Sequence, residues 1–288
     1  MNALIQQRLR NLGDASSIVA IRPINGGDIN QAYYVETEAQ QYFVKANKDV
    51  PSHFFEVEAT GLEAIRNTES LHVPEVYRYD HPANGETGMM VMEWIEGETT
   101  PDTAALLGER LAQMHAQSNE KFGYHKRTFI GTLDQHNQLM DNWIDYYRDQ
   151  RILPQMKLAK EKGHMGATRQ TKLEAVIQQF DRWLPPKPNA SLLHGDLWGG
   201  NWMAGEDGTP YVIDPSVLYG DHGFELAFTD LFGGFPASFY DAYQATYPLD
   251  PEYEDRKELY QLFYLLVHLN IFGETYGSSV DRILDRYA

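Results

Sequence analysis

The spacing of hydrophobic residues predicts strands in the first third of the chain and helices in most of the remainder. Short apolar runs typical of strands occur at residues 32–35, 41–46, 74–79 and 89–95. Apolar residues at helical spacing are found in the following segments: 53–65, 100–115, 139–159, 173–183, 239–246 and 256–273. A short amphipathic helix ending near Gly13 is predicted at the start. This order of elements predicts an α+β fold.

Residues 89–95 are apolar enough for a buried strand, after which the chain leaves the sheet. We therefore expect a boundary here between two lobes of the molecule.

The central feature of the sequence is residues 192–216, which read LLHGDLWGGNWMAGEDGTPYVIDPS. The segment from Asn201 to the residue before Asp214 has the pattern of a short β-hairpin with a glycine-rich turn. Because a hairpin brings the ends of its arms together, Asn201 and Asp214 are expected to meet at its open end. Asp196 lies five residues before Asn201 and can point into the same space.

The spacing of these polar residues is typical of a kinase site. His194, Asp196 and Asn201 fit the pattern H-x-D-x-x-x-x-N, and Asp214 stands where a later metal-binding aspartate is expected. Amide and carboxylate oxygens suit a hard cation such as magnesium, while a separate aspartate accepts the proton of an attacking hydroxyl. An ordinary hairpin with a turn-forming Asp and Asn does not account for the loop, the hairpin and the closing aspartate together.

Lys45 and Glu58 form a second candidate pair. Lys45 lies in the strand at 41–46, and Glu58 falls on the apolar face of the next helix, whereas Glu56 and Glu63 point away from that face. A carboxylate on a buried face needs a partner, so we expect Glu58 to pair with Lys45, as in kinases where such a lysine positions phosphates. The alternative is a solvated Glu58 at the edge of the face.

Two further segments are candidates for contacts with a nucleotide. Gly26 and Gly27 lie in a loop rich in turn residues between two strands, where backbone can approach phosphates closely. By itself this pattern more often indicates a hairpin turn. Backbone groups of Glu93, Trp94 and Ile95 are candidates for binding an adenine edge, although an ordinary strand end explains the same residues.

The helical region 139–159 is crowded with aromatic residues, among them Trp143 and Tyr147, beside Arg148. Aromatic residues at this density are consistent with a core, and the arginine beside them is consistent with a wall of a substrate site. We take Trp143, Tyr147 and Arg148, together with Trp198, as candidate substrate contacts.

Three polar residues outside the catalytic pattern are given structural roles. His115, on the inner face of its helix, is interpreted as a packed core histidine. His222 and Glu225 follow the hairpin in sequence, and we expect them to brace the catalytic loop rather than take part in the chemistry.

Composition limits the classes of partner. The 288 residues are 42% hydrophobic and 23% charged, which is ordinary for a globular protein, and there is no cysteine. The net charge of −17 disfavours nucleic acid as a partner. No apolar run is long enough to span a bilayer and no signal-peptide pattern is present, so we expect a cytoplasmic protein without a membrane partner, and a monomer.

The sequence resembles the fructosamine-3-kinase (ketosamine-3-kinase) family within the protein-kinase-like superfamily, which also holds aminoglycoside and choline kinases. The blocks that carry the resemblance span nearly the whole chain: HGDLWGGN, FFEVEATGLEAI, WIDYYRDQRILPQ, LFGGF and LYQLFYLLVHLNIFGETY. HGDxxxxN alone marks only the superfamily, whereas HGDLW together with the LFGGF and LNIFGETY blocks is typical of a much narrower group of proteins.

The resemblance implies a two-lobed protein-kinase-like fold, with a small β-rich N-terminal lobe at residues 1–93, a helical C-terminal lobe at residues 94–288 and ATP between the lobes. It implies Asp196 as the catalytic base, Asn201 and Asp214 as magnesium ligands, Lys45 as a phosphate contact and Glu58 as its partner. The implied reaction transfers the γ-phosphate of ATP to the 3-hydroxyl of a ketosamine, such as fructoselysine or ribuloselysine, free or on a protein. The unstable product would then release the amine, which amounts to deglycation.

Two rival functions share parts of this pattern. A related kinase acting on an aminoglycoside, choline or homoserine would share the same catalytic residues, but the blocks LFGGF and LNIFGETY argue against it. A non-catalytic nucleotide-binding pseudokinase would typically lack the base, a metal ligand or the phosphate lysine, and none is missing here. The chain departs from the family at Asp28, where some members carry a redox-active cysteine, and at Glu225, where an aspartate is usual.

Overall fold

The chain folds into two compact units, and the computed structural model describes residues 1–24 and 29–288. The units comprise Met1–Thr103 with Trp202–Asp214, and Ala104–Asn201 with Pro215–Ala288. An antiparallel sheet is the centre of the first unit and the second unit is mainly helical, so the predicted α+β class is confirmed.

The sheet of the first unit has five strands in the order β1-β2-β3-β5-β4. The strands are β1 (Ile18–Ile24), β2 (Gln31–Thr37), β3 (Gln41–Lys48), β4 (Val76–Tyr79) and β5 (Thr87–Glu93). Helix α1 (Asn2–Asn11) precedes the sheet, and helix α2 (Phe54–Arg66) follows β3. Tyr42, Val44 and Ala46 alternate along β3 and share one apolar cluster with α1. Because side chains alternate between the two faces of a strand, Lys45 points to the other face of the sheet.

A two-stranded hairpin, β10 (Trp202–Ala204) and β11 (Pro210–Val212), also belongs to the first unit. The predicted hairpin is confirmed, with Trp202 opposite Val212. Two contacts explain its placement: His72 forms a β-bridge with Tyr211, and the hydroxyl of Thr103 donates to the carbonyl of Gly208 (2.8 Å).

The division between the units therefore differs from the predicted boundary at residue 93. The first unit extends to Thr103 and takes in the hairpin, because both segments contact each other within it. A Cβ atom on Gly97 would lie 2.0 Å from the carbonyl oxygen of Gly205, so only glycine allows this close approach.

The second unit contains most of the helices and two small sheets. The helices are α3 (Thr103–His115), α4 (Trp143–Tyr146), α5 (Leu153–Glu161), α6 (Ala167–Ile177), α7 (Phe180–Trp183), α8 (His222–Leu231), α9 (Ala237–Thr246), α10 (Tyr253–Phe272) and α11 (Gly277–Tyr287). The strands are β6 (Ser118–Asn119), β7 (Thr128–Ile130), β8 (Leu133–Gln135), β9 (Ala190–Leu193) and β12 (Leu218–Gly220). One sheet has the order β12-β9-β6, and β7 pairs with β8.

Helix α10 is the centre of the second unit's core. The helix predicted at residues 256–273 is confirmed, and its residues from Leu259 to Val267 are all buried. Within residues 1–24 and 29–288, no helix has both the length and the apolar character needed to cross a membrane.

Two predicted helix starts are wrong. The helix expected to open at Thr100 begins at Thr103, because the hydroxyl of Thr103 accepts the backbone N–H of Thr100 (2.9 Å) and closes a turn before the helix. The helical region expected from residue 139 begins at Trp143, where the side chain of Asn142 caps the helix by accepting from Asp145.

Candidate active site

Lys45 pairs with Glu58 in the first unit. The ammonium group of Lys45 on β3 donates to the carboxylate of Glu58 on α2 at 2.7 Å. The predicted pairing is confirmed, and its lysine side chain is only 6% exposed. A buried ammonium requires such a partner, so the pair fixes the position of the lysine.

Asp214 is the second carboxylate in contact with Lys45. Its Oδ1 atom forms an ion pair with the lysine Nζ, and its side chain remains 40% exposed. The backbone of Asp214 is left-handed, with φ +57°, a conformation that aspartate adopts more readily than most residues. Asp214 therefore lies where one carboxylate oxygen holds Lys45 and the rest of the group faces outward.

The other predicted nucleotide contacts in this unit are described only in part. Gly26 and Gly27 lie outside the residues that the structure describes. The backbone N–H of Glu93 donates to the carbonyl of Glu75 (2.8 Å), so this N–H already has a hydrogen-bond partner within the protein. Trp94 packs its ring edge-on against Tyr34, and Ile95 is buried. Their role in binding adenine stays a prediction.

The catalytic loop of the second unit is held by close backbone contacts. The N–H of Ser216 donates to the carbonyl of His194 (2.8 Å). Gly195 has φ +83°, and a Cβ atom there would lie 2.0 Å from the carbonyl oxygen of Ser216. A glycine is therefore required between His194 and Asp196, which explains the H-G-D sequence.

Asn201 and Asp196 are joined by a hydrogen bond. The side-chain amide of Asn201 donates to the backbone carbonyl of Asp196 (2.7 Å) and lies 3.4 Å from its carboxylate. Burial raises the pKa of Asp196 well above its ordinary value; the amide of Asn201 opposes this shift, and the charge of Glu225 adds to it. When ionised, Asp196 is therefore a stronger base than an exposed aspartate.

Glu225 on α8 braces this loop, as predicted. It is fully buried and accepts the backbone N–H groups of Gly195 (2.6 Å) and His194 (3.0 Å). Its carboxylate also lies 2.6 Å from Nε2 of His115. Burial acts to raise the pKa of Glu225, but His115 and the backbone donor outweigh it, so the pKa is lowered overall. The ionised carboxylate thus holds two consecutive peptide groups of the loop.

A chain of buried hydrogen bonds continues from Glu225 and was missed by the sequence analysis. Tyr243 places its hydroxyl 2.7 Å from Nδ1 of His115 and 2.7 Å from Nδ1 of His222. With Nε2–H of His115 donating to Glu225, its Nδ1 accepts from Tyr243, whose oxygen in turn accepts from His222. Burial lowers the pKa of His222 to about 3, so this histidine is neutral. His115 is buried as predicted, and no sequence signal links it to residues more than 100 positions away.

The residues present fit a magnesium ion. In the second unit, Nδ2 of Asn201 donates to Asp196, so its Oδ1 is left as an acceptor. In the first unit, Asp214 has a partly exposed carboxylate. Such oxygen ligands suit magnesium, which normally completes its shell with water and phosphate oxygens. Over residues 1–24 and 29–288 there is no group of three or more His, Cys, Asp or Glu residues that could hold a metal ion.

Two candidate substrate contacts are core residues, and their prediction is wrong. Trp143 and Tyr147 have no exposed surface. The indole N–H of Trp143 donates to the hydroxyl of Tyr260 (2.9 Å), and the hydroxyl of Tyr147 donates to the carbonyl of Leu259. The side chains face α10 because apolar surface and two satisfied polar groups stabilise that position.

Arg148 and Trp198 remain candidates. The guanidinium of Arg148 is paired with Asp149 (2.7 Å) and Asp145 (2.9 Å), so its charge is balanced within the protein. Trp198 follows the catalytic loop and is 40% exposed, which is unusual for a tryptophan and leaves its ring accessible.

These features define the class of protein. A strand lysine paired with a helix glutamate, an H-G-D loop with its asparagine, and an aspartate after a hairpin are the parts of a protein-kinase-like phosphotransferase.

Comparison with known proteins identifies the family. The family model described as fructosamine kinase matches residues 1–288. The chain belongs to the fructosamine kinase family, as its sequence blocks predicted, and it is an enzyme that phosphorylates a hydroxyl acceptor.

Relatives and a solved structure agree with this assignment. The chain is 39% identical over 272 residues to the probable ketoamine kinase of Enterococcus faecium, covering 92% of this chain and 94% of the relative. It is 33% identical to the chloroplastic protein-ribulosamine 3-kinase of Arabidopsis thaliana, covering 98% and 87%. The solved structure of a candidate fructosamine-3-kinase from Thermobifida fusca is similar with a TM-score of 0.88 and 28% identity, covering 99% of this chain and 98% of that one.

Proposed function

We propose that this protein transfers the γ-phosphate of ATP to the 3-hydroxyl of ketosamines, the fructosamine and ribulosamine adducts of lysine or of protein amines. The observation that carries the proposal is the match of the fructosamine kinase model over residues 1–288, on a chain that retains Asp196, Lys45 and Glu58. The names ketoamine kinase and protein-ribulosamine 3-kinase among the relatives support the acceptor class and the position of the hydroxyl.

Each catalytic residue has a separate task in this proposal. Asp196 accepts the proton of the 3-hydroxyl as that oxygen attacks phosphorus, and its raised pKa makes it an effective acceptor. Lys45, fixed by Glu58, binds the phosphates. Asn201 and Asp214 would hold magnesium, which would neutralise charge on the phosphates.

The physiological role follows from the product. A ketosamine phosphorylated at the 3-position is unstable and releases its amine, so the reaction would remove sugar from glycated amines. The acceptor is therefore a small ketosamine or a glycated protein. The cytoplasmic location and the monomeric state expected from the sequence belong to this proposal.

An ADP-release assay with magnesium and ATP tests the acceptor class. Fructoselysine, ribuloselysine, choline and an aminoglycoside are offered separately at equal concentrations. We expect turnover with the two ketosamines only, with phosphate on the 3-oxygen as read by phosphorus NMR. Turnover confined to choline or the aminoglycoside would contradict the proposed acceptor, while leaving the kinase class intact.

A further inference from the structure

Four aromatic side chains form a continuous surface on the second unit. This aromatic patch consists of Phe232, His268, Phe272 and Tyr276. The His268 ring lies at its centre, with ring centroids 4.8 Å from Phe232, 5.0 Å from Tyr276 and 5.6 Å from Phe272. Phe232 and Phe272 are 42% and 46% exposed. Clustered exposed aromatic rings are unusual on a protein surface and mark binding sites.

The aromatic patch lies beside the catalytic loop. Gly233 and Gly234, which directly follow Phe232, touch the loop at Gly199, three residues after Asp196. A Cβ atom on Gly234 would lie 2.8 Å from the Cα of Gly199, so the two backbones are in contact. The segment that carries Phe232 therefore contacts the loop that carries the catalytic aspartate.

The chemistry of the aromatic patch suits an apolar, uncharged contact. His268 donates its Nδ1–H to the carbonyl of Tyr264 (2.7 Å), which fixes its tautomer and ring position. Burial lowers the pKa of His268, so the ring is neutral near pH 7 and does not repel a cationic amine. The patch is built from rings that offer faces and edges for contact with methylene groups.

We propose that the aromatic patch binds the aliphatic chain that carries the amine of the ketosamine, such as the methylene chain of a lysine residue. This inference rests on the proposed function and deepens it. With the sugar at Asp196, the substituent on its amine must lead away from the catalytic loop. The exposed rings of Phe232 and Phe272 provide an apolar path for that chain, and their open side leaves room for the amino acid or protein beyond it.

Two acceptors that differ only in this chain test the inference. Fructoselysine carries the lysine chain, whereas 1-amino-1-deoxyfructose has the same sugar and amine without it. The variant Phe232→Ala/Phe272→Ala removes two exposed rings, so folding should persist; Leu139→Ala, at an exposed apolar residue outside the patch, is the control.

We expect the double variant to raise the KM for fructoselysine about tenfold through lost apolar contact, with the KM for 1-amino-1-deoxyfructose and for ATP changed by less than about twofold. Leu139→Ala should resemble the wild type. Equal effects on both acceptors, or no effect on either, would overturn the inference while the proposed function stands. A wild type that phosphorylates neither acceptor would instead overturn the proposed function, and the inference with it.

Discussion

Lys45 is held between two carboxylates that have different surroundings. Glu58 belongs to helix α2 and is largely enclosed, whereas Asp214 follows the hairpin and is partly exposed. Because Asp214 is the proposed magnesium ligand, its contact with Lys45 is expected to change when magnesium and ATP bind. Glu58 is then the partner that keeps the lysine in place.

Replacing Glu58 by Gln tests this difference between the carboxylates. The amide keeps the size of the side chain but removes the charge that holds Lys45, so we expect kcat/KM for ATP to fall at least about tenfold, as for a lost charge-assisted hydrogen bond. Glu63→Gln, at an exposed position of the same helix, is the matched control. Equal kcat/KM values for the two variants would contradict the role of Glu58.

Asp14 links the start of the chain to the sheet and should make stability depend on pH. Its carboxylate accepts from Thr37 (2.8 Å), Tyr42 (2.9 Å) and the backbone of Ser16 (3.0 Å). Partial burial acts to raise the pKa of Asp14, but the hydrogen bonds from Ser16, Thr37 and Tyr42 lower it to about 2.

The folded pKa lies below the unfolded value of about 3.9, so this group stabilises the fold above that pH and the effect is lost as the pH falls towards 2. We expect the free energy of unfolding of Asp14→Asn to vary less between about pH 5 and pH 2 than that of the wild type. Urea unfolding at several pH values measures the free energy of unfolding, and Asp102→Asn, at an exposed position, is the control. Parallel curves for Asp14→Asn and the wild type would show that the carboxylate has no such role.

At the scale of elements, helix α8 holds the catalytic loop in place through the side chain of Glu225. Glu225 reaches the N–H groups of His194 and Gly195 and also His115 on α3. The side chain of Glu225 is accommodated in a fully buried position.

Shortening this side chain is the corresponding experiment. In Glu225→Asp the carboxylate no longer reaches all three partners, so the loop that carries Asp196 should lose its fixed geometry. We expect kcat to fall about 10- to 100-fold with little change in the KM for ATP. Tyr243→Phe, which keeps the ring but breaks the hydrogen bond to His115, should show a smaller loss of kcat. A KM effect without loss of kcat would contradict a bracing role.

Gly108 marks a close contact between two helices. A Cβ atom there would lie 2.1 Å from the carbonyl oxygen of Phe239 on α9. Alanine favours helices by about 1 kcal/mol over glycine, but the steric clash should outweigh this gain. We expect Gly108→Ala to lower the free energy of unfolding by about 1–3 kcal/mol. Gly166→Ala, where a Cβ atom meets open space, is the control. Gly166 is the N-cap of α6, where alanine is less favourable than glycine, so we expect this variant to lose less than about 1 kcal/mol in denaturant unfolding. Equal stabilities of the two variants would rule out the clash.

The sequence predicted elements and neighbours better than it predicted burial. The Lys45–Glu58 pair could be predicted because the side-chain periods of a strand and of a helix determine the direction in which each of the two side chains points. Trp143 and Tyr147 were harder to place, since both lie near a π-helical segment at Tyr147–Ile152. In that segment the turn is wider than in an α-helix, so regular spacing no longer tells which side chains face the core. The hydrogen bonds of His115 depend on tertiary packing alone.

At the scale of the whole molecule, the division of the chain could not be predicted from composition. The hairpin at Trp202–Asp214 joins the first unit through contacts such as Thr103 with Gly208, which are 105 residues apart in sequence. The strands β2 to β5, the hairpin and the family blocks were predictable because they depend on local patterns, whereas the short strands β6 to β9 and β12 of the second unit were not predicted. The net charge of −17 agrees with a preference for an amine-bearing acceptor, since a negative surface attracts cations.

The central claim is that this chain is a ketosamine kinase whose base is Asp196. The most direct measurement is the rate of ADP release with fructoselysine for the wild type and for Asp196→Ala, together with nucleotide affinity and thermal unfolding of both. We predict that the variant folds and binds ATP normally but loses about 100- to 10,000-fold in kcat, as expected for removal of a general base. A variant that turns over as fast as the wild type would contradict the assignment of Asp196.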